Sequence, residues 1–159
     1  MSTALVGPEL AYLVNDCDAR LVLCDATLAV QAAALPPLCA KGVHWLALGE
    51  PIDGHVPLQP LLDAASPEPH AHEPPGALMM YTSGTTGAPK GVIRPLPPAD
   101  FRGTPPFAAD LIDLFGLAGA DVRYLSPAPL YHAAPLRFNM TVMRFGGSAK
   151  PMAFSAPRA

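Results

Sequence analysis

Twenty-one of the 159 residues are proline and thirteen are glycine, and no other feature constrains the fold of this chain as much. Proline fixes φ and lacks a backbone donor, so it breaks a helix interior or a central strand. Glycine weakens both kinds of element through its backbone entropy. Roughly a fifth of the positions therefore resist long regular structure, which excludes long helical bundles and coiled coils. Half of the residues are nevertheless hydrophobic and only 14% are charged, too apolar a balance for a disordered chain. A domain of this length buries about 70% of its unfolded surface. A loop-rich α/β chain of short elements remains.

Pro8 and Glu9 precede Leu10, Leu13 and Val14, a spacing that predicts a short amphipathic helix ending near Asn15-Asp16. Leu21 to Cys24 is a continuous apolar run and reads as a buried strand. A second helix is expected around Leu28–Leu35, stopped by Pro36-Pro37, and a second strand over Val43–Leu48. Strand, helix and strand at this spacing form a βαβ unit, which builds parallel sheet. Residues 51–75 hold seven prolines and read as a loop with one helical turn at Leu61–Ala65. Strands are expected over Ala77–Thr82, from Gly91 to Arg94 and over Asp121–Ser126. Helices are expected over Phe107–Leu117, with Leu111, Leu114 and Phe115 on one face, and over Pro135–Phe145. A second proline-rich link, residues 95–106, has five prolines in twelve positions.

The net charge of −3 hides an asymmetry. Residues 1–80 carry two basic and nine acidic groups, whereas residues 81–159 carry eight basic and four acidic ones. A basic second half suits a phosphate-bearing ligand, but no Lys/Arg run interleaved with aromatics points to nucleic acid. Cys17, Cys24 and Cys39 form no CxxC pair and read as reduced core thiols, in keeping with a cytoplasmic location. The opening MSTALVGPEL lacks the basic segment of a signal peptide. The longest uncharged apolar stretch, Ala26 to Ala40, is too short and too broken by Pro36-Pro37 to cross a bilayer. His70-Ala71-His72-Glu73 lies in a proline-rich loop without partner ligands and reads as solvated, so no metal site is assigned.

Chemistry concentrates in Ser83-Gly84-Thr85-Thr86-Gly87-Ala88-Pro89-Lys90, between two expected strands. Gly84 and Gly87 let the backbone turn sharply and approach a ligand. Successive N–H groups in such a turn make a concave anion nest. Ser83, Thr85 and Thr86 add hydroxyl donors, and Lys90 adds a compact positive charge suited to a phosphate. The pattern is not a Walker A loop, because Ala88-Pro89 follows Gly87 and Gly91 follows Lys90.

The whole run Tyr81-Thr82-Ser83-Gly84-Thr85-Thr86-Gly87-Ala88-Pro89-Lys90-Gly91-Val92 resembles the phosphate-loop signature of the adenylate-forming superfamily. That group includes acyl-CoA synthetases, luciferases and peptide-synthetase adenylation domains. Tyr124 to Pro135 is similar to the family's next characteristic segment, in which an aromatic–His pair follows a strand, here Tyr131-His132. Glu9–Leu13 and Asp18–Leu23 resemble its preceding helix–strand step. The likeness runs from about residue 8 to Gly147, and Arg94-Pro95-Leu96-Pro97 with Pro129-Leu130-Tyr131-His132 leans toward acyl-CoA synthetases, fatty-acid–CoA ligases among them.

The resemblance implies a partial N-terminal domain with mostly parallel sheet, flanking helices and Pro-rich loops. It implies a two-step ligase in which a carboxylate attacks the α-phosphate of Mg-ATP and coenzyme A then takes the acyl group. Thr82, Ser83, Gly84, Thr85, Thr86, Gly87 and Lys90 would bind nucleotide phosphate, and Tyr131 and His132 would meet the acyl adenylate. Lys90 and His132 would be the catalytic members. The family's magnesium-holding and ribose-binding segments and its small C-terminal domain have no counterpart in these residues. Residues 148–159 also depart from the pattern, with Ala, Pro and Lys where the family has a β-branched strand. Two functions follow: an acyl-CoA synthetase or related adenylate-forming enzyme, or a non-catalytic remnant of the fold with at most weak nucleotide binding or pairing to a complementing chain.

Overall fold

The computed structural model describes residues 1–69, 74, 76–82, 88–98 and 103–152, apart from the side chain of Pro106. The chain divides into two compact units, Met1–Ala99 and Asp100–Ala159.

The first unit begins with helix α1, Gly7–Asp16. Pro8 sits in its first turn, where the missing N–H would have no helical partner anyway. The Glu9 carboxylate reaches back to accept the Val6 N–H at 3.0 Å. Leu10, Leu13 and Val14 face inward, and Leu10 and Ala11 pack with Leu35 beside Leu5, Cys39 and Trp45. The helix ends in a six-to-one closure in which Ala19 N–H donates to the Val14 carbonyl at 3.1 Å. Asp18 takes the left-handed position there, φ +49°.

Strand β1 (Leu21–Asp25) pairs in parallel with β2 (His44–Leu48), from Leu21 opposite His44 to Asp25 opposite Leu48. The expected βαβ unit is present, but its helix is fragmented. A 3-10 turn (Ala26–Leu28) leads into α2 (Ala29–Ala33), and Pro36–Leu38 form a second 3-10 turn. Pro36 and Pro37 have no N–H to donate to the preceding turn, so the α-helical ladder of α2 does not continue through them. The expectation of a fully buried β1 is corrected. Val22 is buried and Cys24 half-buried, while Leu21 and Leu23 are 55% and 49% exposed, because packing covers one face of this sheet.

The expectation of a loop over residues 51–75 is also corrected. Strand β3 (Val56–Pro57) adds in parallel to β2, and Leu58–Ala64 form helix α3. Pro57 stands at the helix N-cap and Pro60 in the first turn, positions where proline starts a helix instead of breaking it. Strands β4 (Met80–Tyr81) and β5 (Gly91–Val92) then form an antiparallel pair, shorter than the sequence predicts.

In the second unit, α4 (Pro106–Phe115) ends at Gly116, whose φ of +62° gives the left-handed cap. Leu111 and Ala108 are buried, but Leu114 and Phe115 are exposed, so the expected three-residue apolar face reduces to one of its members. Strand β6 (Arg123–Ser126), helix α5 (Ala133–Arg144) and strand β7 (Ser148–Pro151) form a second βαβ unit, with β6 and β7 parallel. Ser148–Pro151 pair although Ala, Lys and Pro are poor strand formers: a neighbouring strand overrides propensity. Gly146 (φ +87°) and Gly147 turn the chain from α5 into β7. A Cβ on Gly147 would lie 2.8 Å from Val142 Cγ1 and 3.0 Å from the Val122 carbonyl oxygen, so only glycine allows this close a return. Among the described residues no helix is long and apolar enough to cross a membrane.

Candidate functional site

The phosphate-loop candidate hangs from the β4–β5 hairpin. Beyond the paired Tyr81 and Gly91, the Thr82 N–H donates to the Lys90 carbonyl at 3.0 Å, and the Lys90 N–H donates to Thr82 Oγ1 at 3.2 Å. Thr82 and Lys90, two of the expected site residues, are thus brought together at the base of the loop, with Lys90 exposed. Ser83, Gly84, Thr85, Thr86 and Gly87 lie outside the described residues, as does the His70–Glu73 segment.

Gly91 lies under two side chains. A Cβ there would collide with Met79 Cε and lie 3.2 Å from the Tyr81 ring. The Tyr81 hydroxyl donates to the Asp16 carboxylate at 2.6 Å. Desolvation, the hydrogen bond to Asp16 and the negative charge of that carboxylate hold the Tyr81 phenol above its ordinary pKa. The Tyr12 hydroxyl donates to the Pro89 carbonyl at 2.9 Å.

The aromatic–histidine segment belongs to the second unit. His132 is the N-cap residue of α5; its N–H donates to the Pro129 carbonyl at 3.1 Å and its carbonyl accepts from Leu136 at 3.3 Å. The Tyr131 and His132 rings are neighbours, centroids 4.5 Å apart at 49°, and both side chains are exposed. Sequence reasoning missed what anchors them. Asn139, buried on α5, donates to Ser126 Oγ at 2.8 Å and to the Pro135 carbonyl at 2.7 Å. It thereby ties the end of β6 to the start of α5, on either side of the segment that carries Tyr131 and His132. The available signal was an amide at i+4 from Pro135 and three before Val142, on the stripe that turns inward.

A family profile described as AMP-binding enzyme matches residues 1–156. The chain belongs to the AMP-binding enzyme family. It is 31% identical over 141 residues to an indoleacetate–CoA ligase of Aromatoleum aromaticum, covering 86% of this chain and 26% of that protein. It is 36% identical over 154 residues to a sulfoacetate–CoA ligase of Cupriavidus necator, covering 93% of this chain and 28% of that protein. Among solved structures, ATP-bound MatB from Rhodopseudomonas palustris superposes with a TM-score of 0.67 at 26% identity, over 96% of this chain and 29% of that one. The chain spans about a quarter of the length of these curated relatives. Its fold is the mixed α/β arrangement, with parallel sheets and helices, of the N-terminal domain of adenylate-forming enzymes.

Among the described residues no group of three His, Cys, Asp or Glu side chains comes together in a way that could hold a metal ion. The cysteines depart from their expected core placement. Cys24 and Cys39 are half-buried and burial raises their pKa, but Cys17 is exposed.

Proposed function

We propose that this chain is the phosphate-handling part of an ATP-dependent acid–CoA ligase, a portion of the large N-terminal domain in which residues 8–147 carry the family pattern. In the reaction, a carboxylate oxygen attacks the α-phosphorus of ATP and pyrophosphate leaves, giving an acyl adenylate. The sulfur of coenzyme A then attacks the acyl carbon, and AMP leaves. The observation that carries this reading is the family signature closed at its base by the reciprocal Thr82–Lys90 hydrogen bonds.

Pyrophosphate departs with accumulating negative charge, which preorganised donors stabilise. The Lys90 ammonium and the hydroxyls of Thr82, Ser83, Thr85 and Thr86 are those donors, while Gly84 and Gly87 keep the backbone free to approach. Tyr131 and His132 line the path of the acyl group, and the histidine positions the carboxylate or its adenylate. The substrate proposed first is a fatty acid, in line with the Pro-Leu-Tyr-His segment and with a relative named long-chain-fatty-acid–CoA ligase, 29% identical over 144 residues. The indoleacetate and sulfoacetate ligases among the relatives make aromatic and short acids the next to try.

The test is carboxylate-dependent ATP–pyrophosphate exchange with a panel of short to long fatty acids, indoleacetate and sulfoacetate, alongside ATP titration of the parent and Lys90→Ala. Losing one charge-assisted contact should weaken ATP binding by about 1.5–3 kcal/mol. Equal affinities for parent and variant remove Lys90 from the site. Nucleotide binding without exchange, with exchange restored by a second chain supplying the rest of the relatives' length, supports a portion of a ligase, whereas no exchange with or without that second chain supports the non-catalytic alternative.

A further inference from the structure

The β4–β5 hairpin cannot by itself fix the loop it carries. It comprises two residues on each strand and forms a sheet of its own among the described residues. Isolated two-stranded hairpins are marginal in water even when longer. Yet a phosphate-binding loop works only if its donors are held in place before the ligand arrives, because disorder among competent and incompetent arrangements lowers the apparent affinity in proportion.

Two long-range hydrogen bonds supply what the hairpin lacks. Tyr12 and Asp16 stand four residues apart on α1 and so share one helix face. Tyr12 donates its hydroxyl to the carbonyl of Pro89, the residue before Lys90. Asp16 accepts the hydroxyl of Tyr81, the residue before Thr82, at 2.6 Å, the short distance of a charge-assisted bond. One contact lies on the incoming strand and the other lies two residues ahead of the outgoing strand, across 65 and 77 residues of sequence respectively. Each adjoins a member of the Thr82–Lys90 pair. Gly91 lets the Tyr81 ring lie close over the backbone, since a Cβ there would stand 3.2 Å from Tyr81 Cζ and 3.3 Å from its hydroxyl oxygen.

We propose that helix α1 braces the phosphate loop, with Tyr12 and Asp16 as positioning residues that hold Thr82 and Lys90 in register. This rests on the reading of residues 82–90 as the phosphate site, and it assigns to α1 a function beyond core packing. Tyr12 is 38% exposed, so its hydroxyl is not needed to fill the core.

The test uses the full chain with Tyr12→Phe, Tyr81→Phe, Asp16→Ala and Asp16→Asn. The two Phe variants keep the rings and remove only hydroxyls, so they retain the packing of α1. Amide hydrogen exchange in the unliganded chain is read at Thr82 and Lys90, and pyrophosphate affinity by calorimetry. Tyr12→Phe, Tyr81→Phe and Asp16→Ala should each speed exchange at both amides and raise the pyrophosphate Kd by about threefold to tenfold. Asp16→Asn keeps an acceptor oxygen and should fall between the parent and Asp16→Ala. Unchanged exchange at the two amides overturns the brace, as does faster exchange with an unchanged Kd, which would make the contacts merely structural. Parent chain that binds pyrophosphate no better than Lys90→Ala overturns the phosphate-site reading itself, an outcome distinct from a failure of the brace.

Discussion

Asn139→Ala offers the sharpest test of how the Tyr131–His132 segment is held. The Asn139 amide is buried, and both of its hydrogen bonds, 2.8 Å to Ser126 Oγ and 2.7 Å to the Pro135 carbonyl, are lost on truncation. Ser126 is completely inaccessible to solvent, so water cannot replace the amide at its hydroxyl. A buried polar group left without its partner costs about 1–3 kcal/mol, and the vacated amide volume adds a cavity cost. The sum is about 2–4 kcal/mol, which in a chain of this size lowers Tm by roughly 5–15 °C. Ser126→Ala alone should cost about 1 kcal/mol, since Asn139 keeps the Pro135 carbonyl. The double variant removes donor and acceptor together and should be less destabilised than the sum, with a coupling energy of about 1 kcal/mol. Urea unfolding of the four proteins measures this cycle. Strict additivity would refute the claim that the pair acts as a unit across the ends of the segment.

Other consequences follow from single contacts. Gly147→Ala should lower the urea midpoint by an amount equivalent to about 1–3 kcal/mol, because the new Cβ meets Val142 and the Val122 backbone; an unchanged midpoint would mean that α5 shifts freely. The raised pKa of Tyr81 means that its bond to Asp16 contributes fully below the ordinary tyrosine value near pH 10 and is lost as pH climbs through the higher folded value. Absorbance titration should therefore show one of the four tyrosines ionising late, and Tyr81→Phe should abolish that late phase. A thiol reagent at neutral pH should label Cys17 before Cys24 and Cys39, whose pKa values burial pushes up. Equal labelling rates would contradict the half-buried placement of the latter two.

The pieces of the candidate site differ in how far the sequence exposes them. Glycine, hydroxyl and lysine spacing announces a phosphate loop because the required chemistry is local: donors on neighbouring residues, and glycines where the backbone must turn. Tyr131 and His132 were legible only through resemblance, since an aromatic beside a histidine has many structural uses. Asn139, Tyr12 and Asp16 were not singled out at all. Their roles depend on partners 13, 77 and 65 residues away, which no local pattern encodes.

The helix start at Pro8, the parallel β1–β2 pair and the signature between Tyr81 and Val92 were legible in the sequence alone, whereas α4 ends at Gly116, inside the helix expected to reach Leu117. These follow from backbone φ limits, missing donors and apolar period, all properties of a residue and its near neighbours. Tertiary structure decided the rest. It turned the proline-rich stretch after residue 51 into a strand and a helix, left Leu21 and Leu23 exposed, and made a strand of Ser148–Pro151. In each case a neighbour from elsewhere in the chain either supplied or withheld the hydrogen bonds and contact area that local propensity could not specify.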